Sequence, residues 1–301
     1  MTTHIKGTRY RLDKDYIRSE KYEELVQLAT FLLTDGGMSK HKNSYRIYFT
    51  NKSEQLLKQF KLVVRQLIPE IVFGTNVHKG VTRIGFYSIE LAELLFEFSN
   101  TFRTAPCESH PKCALLQGMP DQRPCSVCIK RYDEMNKSYP GATFPIVDDE
   151  FLLQEMLRII ADTEGGTSFL IISKPNHIML RREVRISCNH PTLREQIIEM
   201  LFDLGIRSRY SSGNIVIEGH AIKIFNEKIG FSKGVKVSRG TYKGYDKQTI
   251  LEIMVLTNKL VKEKKIYPGK IKKLDYVLKK SIEIYDQTYS RKKVIEFLNN
   301  C

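Results

Sequence analysis

The sequence predicts an α+β fold built from two related αββαββα repeats. Two observations predict it. An apolar helical run closing on Thr, a carboxylate and two glycines occurs twice, as Leu28-Ala-Thr-Phe-Leu-Leu-Thr-Asp35-Gly36-Gly37 and as Leu157-Arg-Ile-Ile-Ala-Asp-Thr-Glu164-Gly165-Gly166. Each run is followed by the same succession of strand-like and helix-like segments, a repeat visible in pattern rather than in letters.

In the first copy, Tyr45–Asn51 alternates with period 2 and reads as a strand. Ser53–Ile68 then reads as a helix with Ser53 at its N-cap, Val81–Tyr87 as a strand and Ile89–Phe98 as a closing helix. In the second copy the counterparts are strand Glu183–Asn189, a helix from Thr192 (read as its N-cap) to Gly205, strand Asn214–Gly219 and helix Ala221–Ile229. Two such copies predict a pseudo-twofold monomer. The resulting divisions are a first repeat over 1–104, a linker over 105–150, a second repeat over 151–232 and an extension over 233–301. The extension is predicted to be mainly helical, over Gln248–Lys265, Lys270–Gln287 and Arg291–Asn300, with a break at Tyr267-Pro-Gly.

The chain has 301 residues, 42% of them hydrophobic, enough for about two domains with buried cores. The longest apolar stretches, such as Leu28–Leu33, fall far short of the ~20 residues of a membrane span, so no membrane association is expected. The start, Met1-Thr-Thr-His-Ile-Lys-Gly, carries no apolar signal region, and an intracellular, cytoplasmic location is expected, or an organelle in a eukaryotic source. Lys and Arg number 48 against 34 Asp and Glu, a formal +14. Residues 233–301 hold 17 of these cations against 7 acids, so the extension carries +10 of the excess. Such a balance points to a polyanionic partner, most often nucleic acid.

Asp35 and Glu164 each stand at the C-terminal end of an apolar helix, beside free backbone carbonyls. That is a hard, oxygen-rich environment of the kind Mg²⁺ prefers, with the Thr34 and Thr163 carbonyls as further donors. Two acids brought together near a pseudo-dyad can support hydrolysis of one phosphodiester on each strand of a duplex. On these residues the chain resembles the monomeric, two-repeat LAGLIDADG homing endonucleases of the archaeal intron-encoded type. The nine-residue motif aligns with Leu28–Gly36 and Leu157–Gly165, and the resemblance covers about 21–104 and 151–232. It implies that Asp35 and Glu164 are the catalytic acids and that two or more Mg²⁺ are bound. It also implies an antiparallel saddle over a long double-stranded DNA target and cleavage that leaves short 3′ overhangs. The chain departs from the motif at its third position, where the family favours a small residue and Thr30 and Ile159 stand here, and at the large Arg158. Asp162 matches the motif's first acid and is read as structural.

The strand alternation separates Tyr45, Ile47 and Phe49 from Arg46, Tyr48 and Thr50, and Val184, Ile186 and Cys188 from Glu183, Arg185 and Ser187. The polar face of a twisted antiparallel ribbon suits the major groove. The candidate DNA contacts are Lys40, Lys42, Arg46, Tyr48, Lys174, Arg181, Arg182 and Arg185, with Lys79, Arg83, Arg207 and Arg209 on the second hairpins. Asn51-Lys52 and Asn189-His190 are placed at matched strand–helix junctions, where the family keeps polar and basic groups around the cut phosphate.

The linker holds Cys107, His110, Cys113, Cys125 and Cys128. A CxxC beside a second pair reads as structural zinc, with two disulfides or free thiols as the other readings. In each case the group staples a linker. Competing functions are a LAGLIDADG-fold maturase acting on intron RNA, a non-cleaving regulator, an intein and a generic basic protein. The ending Asn299-Asn300-Cys301 suggests an intein, but the start is Met1-Thr2 and no His precedes the terminal Asn.

Overall fold

A computed structural model describes residues 12–104, 141–174, 177–240, 242–256, 271–288 and 290–299. The five linker residues Cys107, His110, Cys113, Cys125 and Cys128 lie outside these. Two compact units emerge, Met1–Glu164 with Cys188–Met200, and Gly165–Ser187 with Leu201–Cys301.

The first unit is organised around one helix. α1 (Lys14–Glu20) starts at Asp13, whose carboxylate accepts from the amides of Asp15 and Tyr16. α2 (Tyr22–Leu33) follows, buried from Leu25 to Leu33 except at Gln27, so it is apolar nearly all round and sits inside the unit. β1 (Gly36–His41) and β2 (Ser44–Asn51) form the first hairpin, α3 (Glu54–Leu67) crosses back, and β3 (Gly74–His78) and β4 (Val81–Tyr87) form the second. The antiparallel sheet has the order β1-β2-β4-β3. α3 begins where predicted, with Ser53 Oγ accepting from the Leu56 amide at 3.4 Å. Phe31 of α2, Phe49 of β2 and Phe60 of α3 lie with ring centroids 5.1–5.9 Å apart, joining helix, sheet and crossover. α4 (Glu90–Phe96) closes the repeat, tied to α1 by the Arg18–Glu97 ion pair and by Lys14–Glu93. Arg18 correspondingly draws the Glu97 carboxyl below its usual range. α5 (Glu150–Glu164) packs against α2. Thr30 and Ile159, the motif's enlarged third positions, are both buried, and the Thr30 hydroxyl donates to Val26 O at 2.9 Å. A threonine that bonds its own helix leaves no polar atom stranded, so the departure from a small residue is accommodated.

The second unit carries β5 (Gly165–Lys174), β6 (His177–Ser187), β7 (Arg209–Ser211) and β8 (Asn214–Glu218), in the order β5-β6-β8-β7. This is the arrangement of the first sheet strand for strand. β6 starts well before the predicted Glu183 and ends at Ser187, because the ladder with β5 runs from Lys174–His177 to Gly165–Ile186. α6 (Pro191–Asp203) starts one residue before the expected N-cap Thr192. Pro191 takes the first helical position, where its missing N–H is no loss, and His190 Nδ1 accepts from the Leu193 amide at 3.3 Å. α7 (Ala221–Lys228) closes the repeat. The extension adds α8 (Lys247–Leu256), α9 (Ile271–Thr288) and α10 (Arg291–Asn299), with α8 packed on β5 and α7. Among the described residues no helix is long and apolar enough to cross a membrane.

The passage from α2 into β1 takes only two residues, Thr34 and Asp35. A Cβ on Gly36 would lie 2.7 Å from Leu32 Cα and 2.9 Å from both Phe31 O and Tyr48 O, all backbone atoms that cannot swing away. A Cβ on Gly166, the second glycine of the other copy, meets nothing within 4 Å. Gly36→Ala is therefore expected to destabilise the protein by about 1–3 kcal/mol. Gly166→Ala should stay within about 0.5 kcal/mol of the parent. Urea unfolding midpoints of the two variants, at unchanged slope, measure the difference.

Candidate functional site

The two carboxylates leave the ends of α2 and α5, helices that pack on each other within one compact unit. Each is preceded by a threonine that turns back on its own helix. Thr34 Oγ1 donates to Thr30 O and Phe31 O at 3.2 and 3.1 Å, and Thr163 Oγ1 to Ile159 O and Ile160 O at 2.8 and 3.1 Å. These hydroxyls take up last-turn carbonyls that the helix cannot satisfy. The repeat therefore extends to the threonine hydrogen bonds, although Asp35 stands in a two-residue turn after α2 and Glu164 is the last residue of α5.

The carboxylates then differ in their surroundings. Asn51 Nδ2 donates to Asp35 Oδ2 at 2.6 Å, while Asn51 Oδ1 accepts from the Ser53 amide at 2.8 Å. The amide thus ties the carboxylate to the start of α3, and Thr50 N donates to Asp35 O at 3.0 Å. Both Asp35 and Glu164 are half-buried. In the second copy the ladders set a register in which Ile186 opposite Gly165 matches Phe49 opposite Gly36. Cys188 is then the counterpart of Asn51, and His190 that of Ser53. The matched pairing of Asn51-Lys52 with Asn189-His190 shifts by one residue, because Glu183 corresponds to Arg46 rather than to Tyr45. His190 is almost wholly buried and caps a helix, as Ser53 does. Asn189 and Lys52 are exposed.

Cys188 lies close enough to Glu164 to be affected by its charge, and its thiol donates to His190 O at 3.6 Å. Burial, reinforced by Glu164, pushes the thiol up to about 11. It is a neutral donor at physiological pH, not a thiolate.

Opposed residues of antiparallel strands share a face, so each sheet's polar face can be read from its register. In the first sheet that face presents Ser39, His41, Arg46, Tyr48, Thr50, Asn76, His78, Arg83 and Tyr87, with no Asp or Glu among them. Tyr48 lies between Gly37 and Gly85, and the Arg83 guanidinium sits 4.8 Å from its ring centroid while Arg83 Nε donates to Thr50 Oγ1 at 3.0 Å. Arg46 is half-buried on the same face. Lys42 and Lys79 are exposed at the two hairpin tips, both with positive φ (52° and 49°), and Lys40 is exposed on the strand leading to the first tip.

In the second sheet Arg181, Glu183 and Arg185 share a face. Glu183, 4% exposed, receives Arg185 at 2.6 Å and Arg181 at 3.4 Å. Arg209 forms a two-pronged pair with Glu218 at 3.0 and 3.3 Å, which raises the guanidinium and lowers the carboxyl from their usual values. Arg207 is exposed, and Lys174 ends β5. Arg182 is set apart from these candidates. Alternation turns it to the face of Val184 and Ile186, where Arg182 Nη1 donates to Met254 O of α8 at 3.5 Å and burial lowers its pKa. It is a packing residue, not a member of the polar face. Sequence reasoning missed Glu183 and Lys247. Glu183 was readable, since an acid between two arginines at i±2 on a strand must meet them both. Lys247, whose ammonium donates to Gly165 O at 2.6 Å, could not be found, because 82 residues separate the partners.

A scan against protein-family models found no match, and a search of curated proteins found none. Among solved structures, the chain is similar to the I-SmaMI LAGLIDADG homing endonuclease bound to cleaved DNA (12% identity, 79% of this chain and 92% of that one, TM-score 0.44). It is similar also to the LAGLIDADG meganuclease I-AabMI bound to uncleaved DNA (12%, 78% and 90%, 0.43). A third match is to mesophilic variants of the homing endonuclease I-DmoI (13%, 68% and 90%, 0.38).

The raised Cys188 value has a consequence for alkaline pH. A thiol held above its unfolded value of ~8.5 contributes stability that is full below that value and is lost as pH rises through about 11. Alkylation of the Cys188 peptide by iodoacetamide, followed by mass spectrometry, should show a midpoint near 11, whereas unfolded protein should titrate near ~8.5. Substantial alkylation of folded protein at pH 8 contradicts the assignment.

Proposed function

We propose that the chain is a site-specific double-stranded DNA homing endonuclease acting as a monomer, which hydrolyses one phosphodiester on each strand of a long target and leaves short 3′ overhangs. The observation that supports this most is the doubled corner: two packed helices, each ending in a back-bonded threonine and a carboxylate, each leading through glycine into a sheet of the same strand order.

The donor set suits Mg²⁺. Among the described residues no three His, Cys, Asp or Glu side chains gather into a metal cage. Mg²⁺ characteristically takes one or two carboxylates and completes its shell with water and phosphate oxygens. Asp35 and Glu164, with the carbonyls of Thr34 and Thr163, would hold it, and when bound it supplies Lewis acidity and a lowered water pKa at the scissile phosphate. Asn51 orients the Asp35 carboxylate by bonding one of its oxygens. Lys52, the next residue, is exposed and offers a cation to charge developing on the phosphate. The polar faces of the sheets would read the target: Arg46, Tyr48 and Arg83 in the first, Arg181, Arg185 and Arg209 in the second. The extension's lysines add phosphate contacts.

Incubation of a randomised or genomic DNA pool with the protein and Mg²⁺, followed by sequencing of new ends, should show discrete paired cuts at one long sequence. Asp35→Asn and Glu164→Gln should each lower double-strand cutting by about 10²–10³-fold, accumulate nicks on opposite strands and leave binding intact. Binding without cutting, above all with intron RNA preferred to duplex DNA, would sink the nuclease reading.

Arg46→Ala and Arg83→Ala should each lower the slope of log affinity against log salt by about 1 if the residue meets a phosphate. If it meets a base edge, the slope should hold and discrimination at one base pair should fall by about 1–3 kcal/mol. Competition binding at several salt concentrations separates the two, and a variant that changes neither lies outside the interface.

A further inference from the structure

On the polar face of the second sheet two acids stand directly opposite each other, Glu183 on β6 and Glu218 on β8. At the matched places of the first sheet stand Arg46 and Tyr87. Like charges opposed across antiparallel strands repel, so neither the ladder nor an anionic partner explains this pair.

Three arginines close on the two acids. Arg185 reaches Glu183 Oε2 through Nη2 at 2.6 Å and Nε at 2.8 Å, and Arg181 Nε lies 3.4 Å from Oε1. Arg209 spans both oxygens of Glu218 at 3.0 and 3.3 Å. The two groups form one network, since the charge of Glu183 also acts on Arg209 and that of Arg181 on Glu218. Three cations and two anions leave these five side chains with a single positive charge. Their exposure divides the roles. Glu183 is 4% exposed, while the side chains of Arg181, Arg185 and Arg209 are 40%, 41% and 52% exposed. The guanidinium groups are anchored from below and open from above.

That arrangement sets two kinds of contact apart. A phosphate can draw Arg181 or Arg185 away only by displacing Glu183, and a buried carboxylate stripped of its cations is strongly unfavourable. A base edge that accepts the remaining N–H groups where they already point displaces nothing. We infer that Glu183 and Glu218 are specificity-determining residues: they withhold Arg181, Arg185 and Arg209 from the phosphates of any duplex and leave them to base edges that meet the forks in their held directions. The inference rests on the reading that this sheet face meets duplex DNA.

The test measures binding by the metal-free full chain to two duplexes of equal length, one carrying the site recovered by sequencing cut ends and one of scrambled sequence. Glutamine keeps the shape of glutamate without its charge. Glu183→Gln should raise affinity for the scrambled duplex about 3–10-fold and steepen the slope of log affinity against log salt by about 1–2, as two arginines turn to phosphates. Glu218→Gln, which releases Arg209 alone, should steepen it by about 1. Affinity for the recovered site should change less than about 2-fold, so discrimination falls. Glu199→Gln, at an exposed acid on α6, removes the same formal charge and should leave both affinities within about 2-fold. A merely structural role would lower the urea midpoint without steepening the slope. An unchanged slope, gains no larger than those of Glu199→Gln, or equal gains on both duplexes would overturn the inference. A chain that cuts no DNA refutes the nuclease reading by itself; steeper slopes on the scrambled duplex would then still uphold the restraint on the arginines, and unchanged slopes would refute it too.

Discussion

At the end of α2 the chain passes from helix to strand through only Thr34 and Asp35, and the Gly36 backbone lies against Leu32, Phe31 and Tyr48 with no room for a side chain. Much else depends on that corner. Because only two residues separate helix and strand, Gly36 is set opposite Phe49 of β2 right after the last turn of α2, and Phe31 meets Phe49 and Phe60 there. The residue before Gly36 is Asp35, held between these elements and by the Asn51 amide. Glu164 stands at the corresponding corner between α5 and β5. A group held by two rigid elements at once is already oriented, a condition for precise chemistry.

How much of this was legible follows from the range of the interactions involved. Period-2 alternation and apolar helical faces are local, and they gave β4, α3 and α7 to within a residue or two. They gave the inward and outward faces of β2 and of the end of β6 as well. The Ser53 cap was legible because the cap bond spans three residues. The Thr192 cap failed because Pro191 fits the first helical turn better, and an imidazole nitrogen can serve where a hydroxyl was expected. The register of the second repeat was misjudged by one residue because Asn51 and Asn189 look alike in sequence. The ladders decide otherwise and put Cys188 at that place. Arg182 was misplaced for a related reason: a run of two arginines in a strand must send one of them to each face. Lys247 is legible only once the chain is folded.

The polar faces of the two sheets are chemically unlike, although their topology is the same. The first offers cations, imidazoles and hydroxyls, and its Arg83 is steadied by a ring and a hydroxyl rather than by an acid. The second interleaves arginines with Glu183 and Glu218. An acid that holds an arginine lowers the local positive field but fixes the direction of a planar donor fork. Exposed pairs such as Arg209–Glu218 contribute little stability, so their significance lies in orientation. Against a partner that presents both phosphates and base edges, the first face favours attraction and the second favours discrimination.

The same asymmetry reaches the carboxylates. A duplicated unit starts with equal halves, and each later substitution must keep both corners fixed or let one weaken. Asn51 fixes its corner from within the repeat, through an amide that satisfies a carboxylate and a helix start together. Cys188 cannot do this, because a half-buried neutral thiol has a single weak proton to give and gives it to His190 O.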